Sequence, residues 1–503
     1  MDLERFRLRR FLERLPAEEL ERVGRPVELA DVAACLEGNP RAVWFSSAGG
    51  AELAGNVAAS RSRLALALAT EPKHLLAEVR RRLGVPQEVV EVDDAPVQQV
   101  VETQGADLTA LPVHLQHGFD GAPYISSAMD VTRDPASGLA NVGIRRLMLR
   151  GRREAGVDLN APSDLRAIYQ VAAQRGERLP IAFAVGSHPA DHVAATMRVP
   201  GDELGLIARL RGAPLAVAKC VTSDLRVPAD AEYVLEGYLD ERGYVEPEGP
   251  YGEFLGYYGA LKTNPVFHLT AITRRRDALF QTSTISGRTL ARTDTAQLNA
   301  LRAEVTAWRA LESAVREIRA VYATPAGGGA FNMRVALRPR VPGEARNAIA
   351  AVLGCLANVK HVFVVDEDID VYSDEQMEWA LATRFQAARD LVVLSALRAM
   401  PLDPSLRGER TSSKAGFDLT LPLATRRGLE TLTPEPPRYE GRRFDSVDAA
   451  LADGPKFFVE LMSARGSRDG REIVRELEAL RATGGLARDE EGRYVYRPPG
   501  TAS

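Results

Sequence analysis

Two carboxylates lie five residues apart in Glu248-Gly249-Pro250-Tyr251-Gly252-Glu253, a segment with the composition of a tight loop. Its glycines and its proline favour an irregular backbone, on which both carboxylates can converge. Mutual repulsion and partial burial would raise the pKa of one carboxyl group and leave a neutral acid able to deliver a proton near neutral pH. The alternative is a solvated acidic turn, which the spacing alone does not exclude.

Two arginines interrupt the apolar run Asn141-Val142-Gly143-Ile144-Arg145-Arg146-Leu147-Met148, which otherwise has the composition of a strand. Because successive strand residues face opposite sides, Arg146 shares a face with Ile144 and Met148, and Arg145 faces the other way. One arginine is therefore expected to point inward, where its guanidinium needs a carboxylate or phosphate as a partner. An edge strand with both arginines reaching water is the alternative.

The segments that must position these groups differ in their pattern of apolar and polar residues along the chain. Residues 1–95 alternate helical patterns with short apolar runs and predict an α/β lobe, which opens with an amphipathic helix ending near Pro16. Residues 96–292 are rich in short β-type runs, which predicts a partly antiparallel barrel with inserted helices, a suitable holder for a flat ligand. The predicted strands are 125–132, 140–149, 180–185, 215–221, 232–239 and 266–273, and the inserted helices are 165–174 and 203–211.

A long helix is predicted to connect this barrel to a second domain. Thr293 and Asp294 offer N-caps, and apolar residues recur at spacings of three and four as far as Val321, so the connector spans residues 293–325. Gly327-Gly328-Gly329 then favours a flexible link. Residues 326–503 predict an α/β domain, and the fold class is therefore α/β in the broad sense that includes α+β. Its predicted strands are 331–337 and 359–365, and its predicted helices are 344–355 and 470–483.

Composition and charge narrow the classes of function. The 503 residues include 64 basic and 68 acidic side chains, so the basic excess of a nucleic-acid-binding protein is missing. The charged start Met1-Asp2-Leu3-Glu4-Arg5 lacks the order of a secretory signal, and no run approaches the roughly 20 apolar residues of a membrane span. A cytoplasmic protein with no membrane partner is therefore expected. Cys35, Cys220 and Cys355 are dispersed and predict neither a disulfide framework nor a zinc site.

Several motifs occur in order along the chain: Asn141 to Arg146, Pro162 to Arg166, Ala194 to Met197 with Glu203, Glu248 to Glu253, Val364 to Asp370, Trp379-Ala380 with Thr383-Arg384, and Ser413 to Asp418. Taken together, they resemble the UbiD family of decarboxylases, which use prenylated FMN. The similarity keeps its order from about residue 95 to 425. The resemblance implies that the barrel is a split β-barrel that binds the flavin, and that the C-terminal α/β domain serves oligomerisation.

The resemblance also implies a triad beside the flavin, made of Arg146, Glu248 and Glu253. The second glutamate is the proton donor in the family, so Glu253 would be the general acid, held by Arg146 and tuned by Glu248. The cofactor would form a covalent adduct with the substrate and accept electrons as CO2 leaves. The implied activity is that of a carboxy-lyase, a reversible and non-oxidative decarboxylase.

A metal anchor for the cofactor phosphate is implied as well. The family uses manganese and potassium, held by an Asn, a His and a Glu, and Asn141 and Glu203 match two of these residues. Asp164 stands at the position of the His, where it keeps a hard oxygen ligand but adds negative charge. The residues implied to contact the cofactor are Asn141, Ile144, Arg145, Arg146, Ser163, Asp164, Met197 and Glu203, with Lys360 at the phosphate.

The substrate and the partners are implied only in outline. The run from Arg145 to Asp164 looks most like family members that act on pyrrole, furan or indole carboxylates. Residues 282–288 would form a pocket wall, and Arg288 or Arg292 could meet a second substrate carboxylate, although pairing with nearby acids explains both more simply. A homodimer through the C-terminal domain is implied, with hexamers in some members, and a flavin prenyltransferase would supply the cofactor.

Two other functions remain open at this point. His188 and His192 have the i,i+4 spacing of a metal-binding helix and would serve a metal-dependent hydrolase. Pro189 indicates a helix start there, and the Glu that follows the first His in zinc proteases is missing. A non-catalytic flavin-binding protein on the same fold is the other alternative.

Overall fold

The computed structural model describes residues 1–356, 358–423 and 431–496. The chain divides into two units, Met1–Thr420 and Leu421–Ser503. The first unit contains every residue that the sequence assigns to chemistry. The predicted domain boundaries near residues 95, 292 and 325 fall inside this unit and stay predictions.

A closed barrel of six strands is the main β-structure of the first unit. All neighbouring strands are antiparallel, and the pairing of Tyr233–Leu239 with Val266–Arg274 closes the ring. The predicted barrel is confirmed, but the predicted strand 215–221 lies outside it, in a separate small sheet. In order around the ring, the strands are Leu179–Val185, Tyr124–Arg133, Ala140–Leu149, Glu154–Val157, Val266–Arg274 and Tyr233–Leu239.

The barrel strands are buried on both faces, which explains their nearly continuous apolar sequence. In Leu179–Val185, Ile181 and Phe183 join one buried cluster, whereas Ala182 and Ala184 join another that includes residues of the surrounding helices. Large side chains thus alternate with small ones at the two-residue period of a strand. The large side chains fill one layer, and the small ones let helices approach the other.

Three helices are inserted between barrel strands, and their first residues are held by caps. They are Asp164–Gln174, Pro189–Thr196 and Glu203–Arg211. The Ser163 hydroxyl accepts a hydrogen bond from the Arg166 N–H at 3.2 Å, and an Asp202 carboxylate oxygen accepts one from the Gly205 N–H at 3.1 Å. Such caps satisfy backbone donors that the helix leaves free. They also fix the positions of Asp164 and Glu203 at the helix starts.

The N-terminal lobe is α/β, as predicted. Its first helix is shorter than the pattern indicates, because it begins at Leu8 and ends at Glu13. Its sheet is made of Leu20–Val23, Ala42–Ala48, Ala51–Gly55 and Phe280–Gln281, and its further helices are Leu29–Leu36, Arg61–Ala67 and Leu75–Leu83. Short strands at Val89–Glu91, Leu215–Lys219 and Arg226–Pro228 form a separate small sheet.

The long helix spans Asp294–Ala314, so its predicted extension to Val321 is wrong. Thr293 caps its start, as expected, by accepting a hydrogen bond from the Ala296 N–H at 3.2 Å. Beyond Val315, whose backbone is extended, the chain forms the strand Ile318–Ala323. Val321 and Ala323 are buried two residues apart, which is the period of a strand rather than of a helix. β-Branched residues favour this outcome because they lose rotamer freedom in a helix.

The strand Ile318–Ala323 begins a five-stranded sheet. Its further strands, in spatial order, are Asn332–Leu337, His361–Asp366, Thr411–Leu419 and Leu391–Arg398. The helices Glu344–Cys355, Asp374–Arg384 and Ala387–Asp390 accompany it. The predicted strands 331–337 and 359–365 and the predicted helix 344–355 are confirmed within two residues.

The glycines at 327–329 are a point of close packing, and their prediction as a flexible link is wrong. Gly329 has φ of +78°, and a Cβ atom there would lie 2.0 Å from the carbonyl oxygen of Ala296 in the long helix. Only glycine fits this left-handed conformation at this distance. The turn is therefore held against the helix.

The second unit has its own helices, Val447–Ala452, Phe458–Arg465 and Arg471–Ala482, and a hairpin of Leu486–Arg488 with Tyr494–Tyr496. Leu451, Leu461 and Ile473 belong to a buried cluster that lies wholly within this unit. The predicted last helix, 470–483, is confirmed. Among the described residues of both units, no helix combines the length and the hydropathy needed to cross a membrane.

Candidate active site

A cavity of about 340 Å³ lies beside the strand Ala140–Leu149, which we call the arginine strand. This volume is within the range of small-molecule sites, roughly 300–1,000 Å³. Polar and apolar groups both line it. They come from the arginine strand, from residues 158–165 and 195–203, from the acidic loop Glu248–Glu253, and from the first three turns of the long helix.

Arg146 brings three carboxylates together at one end of the arginine strand. Its Nε lies 3.0 Å from Glu248 Oε1, its Nη1 lies 3.0 Å from Glu253 Oε1, and its Nη2 lies 2.9 Å from Asp158 Oδ2. The predicted convergence of the two loop carboxylates, and the predicted inward arginine, are both confirmed. Asp158 is a third partner that the sequence did not reveal. We call these four residues the acid cluster.

Burial and charge act in opposite directions on the acid cluster. Burial disfavours the charged guanidinium of Arg146, but Glu253, Glu248 and Asp158 outweigh it and hold the pKa of Arg146 well above its ordinary value. Burial raises the pKa of Glu253, and the charges of Arg146 and Lys262 reverse this only in part. Glu253 therefore keeps its proton to a higher pH than a solvated glutamate, which suits a general acid.

The acidic loop is held from several sides. The short strand Glu246–Glu248, which leads into the loop, pairs with Lys262–Asn264. The buried carboxylate of Asp120 accepts a hydrogen bond from the Gly252 N–H at 2.9 Å, directly before Glu253. The Tyr251 ring lies under the Arg146 guanidinium, 4.4 Å from ring centroid to Cζ, a cation–π distance. The carboxyl group of Glu253 is thus placed by its neighbours in the loop as well as by Arg146.

Several side-chain oxygen atoms lie close together near the other end of the arginine strand. The Asn141 side-chain amide donates to Glu203 Oε2 at 2.8 Å, and the Val142 N–H donates to the same oxygen. Asp164 lines the cavity near them and is exposed. Burial, with smaller contributions from Asp164 and Asp130, raises the pKa of Glu203 to about 7. A cation at this point would relieve the cost of a buried carboxylate, and these oxygen donors fit a hard metal ion.

Arg145 faces away from Arg146, as the strand period predicts. Its Nε lies 3.5 Å from Oδ1 of the buried Asp130, and its Nη2 donates to the Ser163 hydroxyl at 3.3 Å. Ile144 and Met197 also line the cavity. The predicted cofactor contacts from residue 141 to residue 203 therefore share one cavity.

Comparison with known proteins identifies the fold and its chemistry. Residues 88–289 match the model of the 3-octaprenyl-4-hydroxybenzoate carboxy-lyase Rift-related domain, and residues 296–419 match the C-terminal domain model of the same carboxy-lyase. These two ranges cover more than half of the chain. The chain belongs to the UbiD family. It is a decarboxylase of the prenylated-FMN-dependent kind, and so a carboxy-lyase.

Individual relatives agree with this assignment. The chain is 31% identical over 395 residues to an anhydromevalonate phosphate decarboxylase of Methanosarcina mazei. This alignment covers 78% of the chain and 90% of that relative. The solved UbiD-class enzyme HmfF from Pelotomaculum thermopropionicum, in complex with FMN, has a TM-score of 0.81 and 33% identity, covering 86% of this chain and 97% of its own. The vanillic acid decarboxylase of Sedimentibacter hydroxybenzoicus has a TM-score of 0.78 and 29% identity, covering 86% and 96%.

Some residues that the sequence assigned to this UbiD-family site lie elsewhere. Lys360 does not line the cavity, and its Nζ lies 2.7 Å from Asp403 Oδ2. Arg292 donates to the Gly38 carbonyl oxygen at 2.6 Å, and Arg288 is exposed outside the cavity lining. Of the expected wall 282–288, Ser283 and Ile285 are the residues that line the cavity.

Of the two histidines of the hydrolase alternative, His188 has a structural role, and His192 Nε2 lies 3.3 Å from the Ser127 hydroxyl. His188 Nδ1 accepts a hydrogen bond from the Ala190 N–H at 3.3 Å and so caps the helix Pro189–Thr196. Its buried ring packs edge-on against Phe6 and Phe11. Within residues 1–356, 358–423 and 431–496, no group of three or more His, Cys, Asp or Glu side chains is placed to hold a metal ion.

Proposed function

We propose that this decarboxylase acts reversibly and without oxidation on a small heteroaromatic carboxylic acid of the pyrrole, furan or indole type. The acid cluster carries the proposal, because it places a carboxyl group with a raised pKa inside a cavity of ligand size. The similarity of residues 145–164 to that branch of the family supports the substrate class. A reversible reaction follows if Glu253 can both give and take the proton.

The residues of the cavity fit prenylated FMN with manganese and potassium. When bound, the cofactor supplies the electron sink that a carbon atom needs when it loses CO2. Asn141, Asp164 and Glu203 would hold the metal that binds its phosphate, since amide and carboxylate oxygens suit manganese. Ile144, Arg145, Ser163 and Met197 would lie along the cofactor. Lys360 stays a predicted phosphate contact, although here it pairs with Asp403.

The chain's own part in the reaction is positioning and proton transfer. Arg146 orients Glu253 through the 3.0 Å contact from Nη1 to Oε1, and Glu253 donates its proton to the carbon that has lost CO2. Glu248 binds the other side of the guanidinium through both of its carboxylate oxygens and fixes the plane of the guanidinium group. The apolar walls, among them Ile144, Met197 and Leu298, exclude water from this transfer.

Deuterium incorporation tests the proposal directly. Protein loaded with the cofactor would be incubated with a panel of heteroaromatic acids in deuterated buffer, and deuterium at the former carboxyl carbon would be measured by NMR. The panel includes vanillic acid and a phosphorylated, non-aromatic unsaturated acid, because relatives of both kinds are similar to this chain. Incorporation into these acids alone would refute the heteroaromatic class.

A variant assigns the proton. Glu253→Gln should lose both CO2 release and deuterium incorporation while its flavin absorbance is unchanged. Glu246→Gln is the matched control, since Glu246 lies in the strand that leads into the acidic loop and is half-exposed. Full turnover in Glu253→Gln would remove Glu253 from its role. Loss of flavin absorbance in Glu253→Gln would show that Glu253 binds the cofactor instead of donating the proton.

The proposal extends to partners and location. A flavin prenyltransferase would supply the cofactor, the substrate's carboxylate would leave as CO2, and the protein would form homodimers, or hexamers, through its C-terminal domain. Cys35, Cys220 and Cys355 are all free thiols, which supports a reducing compartment such as the cytoplasm.

A further inference from the structure

Arg302 is an arginine without a partner in the wall of the cavity. Its Nε is shielded from water and has no hydrogen-bond partner, and no carboxylate among the described residues lies within 4 Å of its guanidinium. The arginines that are buried in the described parts of the chain all have an ion pair. These pairs are Arg7–Glu232, Arg63–Glu19, Arg211–Asp191, Arg275–Glu4 and Arg384–Asp368.

The long helix presents Arg302 to the cavity. Thr295, Leu298, Asn299 and Arg302 follow one another at spacings of three, one and three residues, which is one face of a helix, and all four line the cavity. Part of the Arg302 side chain stays open to the cavity although its Nε is shielded. The guanidinium is therefore accessible to a bound molecule.

A second cation lies close by. The charge of Arg198 acts on Arg302, and together with burial, the larger effect, it lowers the pKa of Arg302 to about 10. Arg302 thus stays protonated at neutral pH. Arg198 lines the same cavity between Met197 and Glu203, and its Nη2 donates to the Pro162 carbonyl oxygen at 3.4 Å. Among the described residues neither cation has a carboxylate within 4 Å, and two such neighbouring cations are stabilised when an anion binds.

We propose that Arg302, assisted by Arg198, binds a phosphate-type oxyanion of a molecule in the cavity. A guanidinium presents a planar fork that matches two oxygens of a phosphate or carboxylate. Two molecules could bring this group: the cofactor, through its phosphate tail, or a substrate with a second anionic group. The inference deepens the proposed function and rests on it, because that function supplies both molecules.

Binding experiments separate the two sources. Apo-protein would be titrated with FMN and with riboflavin, which lacks the phosphate, in buffer with manganese and potassium, and flavin fluorescence quenching would be followed. If the cofactor brings the anion, Arg302→Met weakens FMN binding at least tenfold and leaves riboflavin binding within twofold. If the substrate brings it, both flavins bind as to the wild type, and KM rises at least tenfold for acids with a second anionic group but not for monoacids.

Control variants show whether the effect comes from the charge. Arg302→Lys keeps the cation and should retain most of the affinity. Arg309→Met removes an exposed arginine seven residues further along the same helix and should change nothing. Thermal melting of each variant checks folding. Unchanged binding and KM in Arg302→Met, or equal losses for FMN and riboflavin, would overturn the inference. A wild-type protein that binds neither flavin would overturn the proposed function together with it.

Discussion

Replacing Arg146 by lysine tests whether the geometry of the acid cluster, and not only its charge, supports catalysis. Arg146 makes four contacts of 3.3 Å or less with three carboxylates, from three different nitrogen atoms. Lysine keeps the positive charge but offers one nitrogen on a flexible stem. It cannot span Glu248, Glu253 and Asp158 together, so at least one carboxylate loses its charged donor.

The size of the effect follows from the contact that is lost. A hydrogen bond to a charged group contributes about 1.5–3 kcal/mol. If the lost contact is the one to Glu253, the misplaced acid costs about the same in the transition state, or roughly a 10- to 150-fold fall in kcat at about 1.4 kcal/mol per factor of ten. Folding should change little, because the buried carboxylates still face a cation.

The assay is steady-state decarboxylation, with kcat expressed per bound flavin. Arg152→Lys is the matched control, since Arg152 lies just beyond the same strand and its pair with Asp107 is solvent-exposed. We expect this control to retain wild-type turnover. A kcat in Arg146→Lys within about twofold of the wild type would refute the reasoning, because it would show that the fork does not hold Glu253.

The remaining predictions concern proton supply and the metal anchor. The rate of decarboxylation should fall as pH rises through the raised pKa of Glu253, because the acid then loses its proton. In Asp158→Asn this fall should begin at lower pH, since the charge of Asp158 helps to raise the pKa of Glu253. A pH–rate profile checks both, and Glu102→Gln, at a half-buried ion pair with Arg274 outside the cavity lining, should match the wild type. Glu203→Ala should purify with little cofactor or manganese, measured by flavin absorbance and metal analysis, whereas the exposed Glu177→Ala should keep both. Full occupancy in Glu203→Ala would show that the metal lies elsewhere.

Local periodicity predicted much of this fold. The strand Ala140–Leu149 and the helix Glu203–Arg211 have the predicted bounds, because turn residues flank the strand and Asp202 and Gly212 mark the ends of the helix. The long helix was predicted too far, since apolar residues three apart do not by themselves distinguish a helix from a strand. The pairing with Asn332–Leu337, which lies further along the chain, decides that residues 318–323 are extended.

Residues whose role depends on distant parts of the chain were harder to predict. Asp158 carries no local signal, because it follows an ordinary strand and meets Arg146 only when that strand pairs with its neighbour. Arg302 looks like a surface arginine within an amphipathic helix. Its distinctive property is a missing partner, and a missing partner can be recognised only when all the surrounding elements are in place.

The acid cluster links substrate binding to proton supply. The cluster places three carboxyl groups around one guanidinium, so a neutral Glu253 lowers its excess negative charge, which burial would make costly. A carboxylic acid substrate that enters the cavity adds another negative charge and meets less repulsion when Glu253 is neutral. The proton on Glu253 that lowers this repulsion is also the proton that Glu253 donates to the carbon atom after CO2 has left. Ionisation of Glu253 should therefore weaken substrate binding as well as slow the chemistry, so that kcat/KM begins to fall at a lower pH than kcat does.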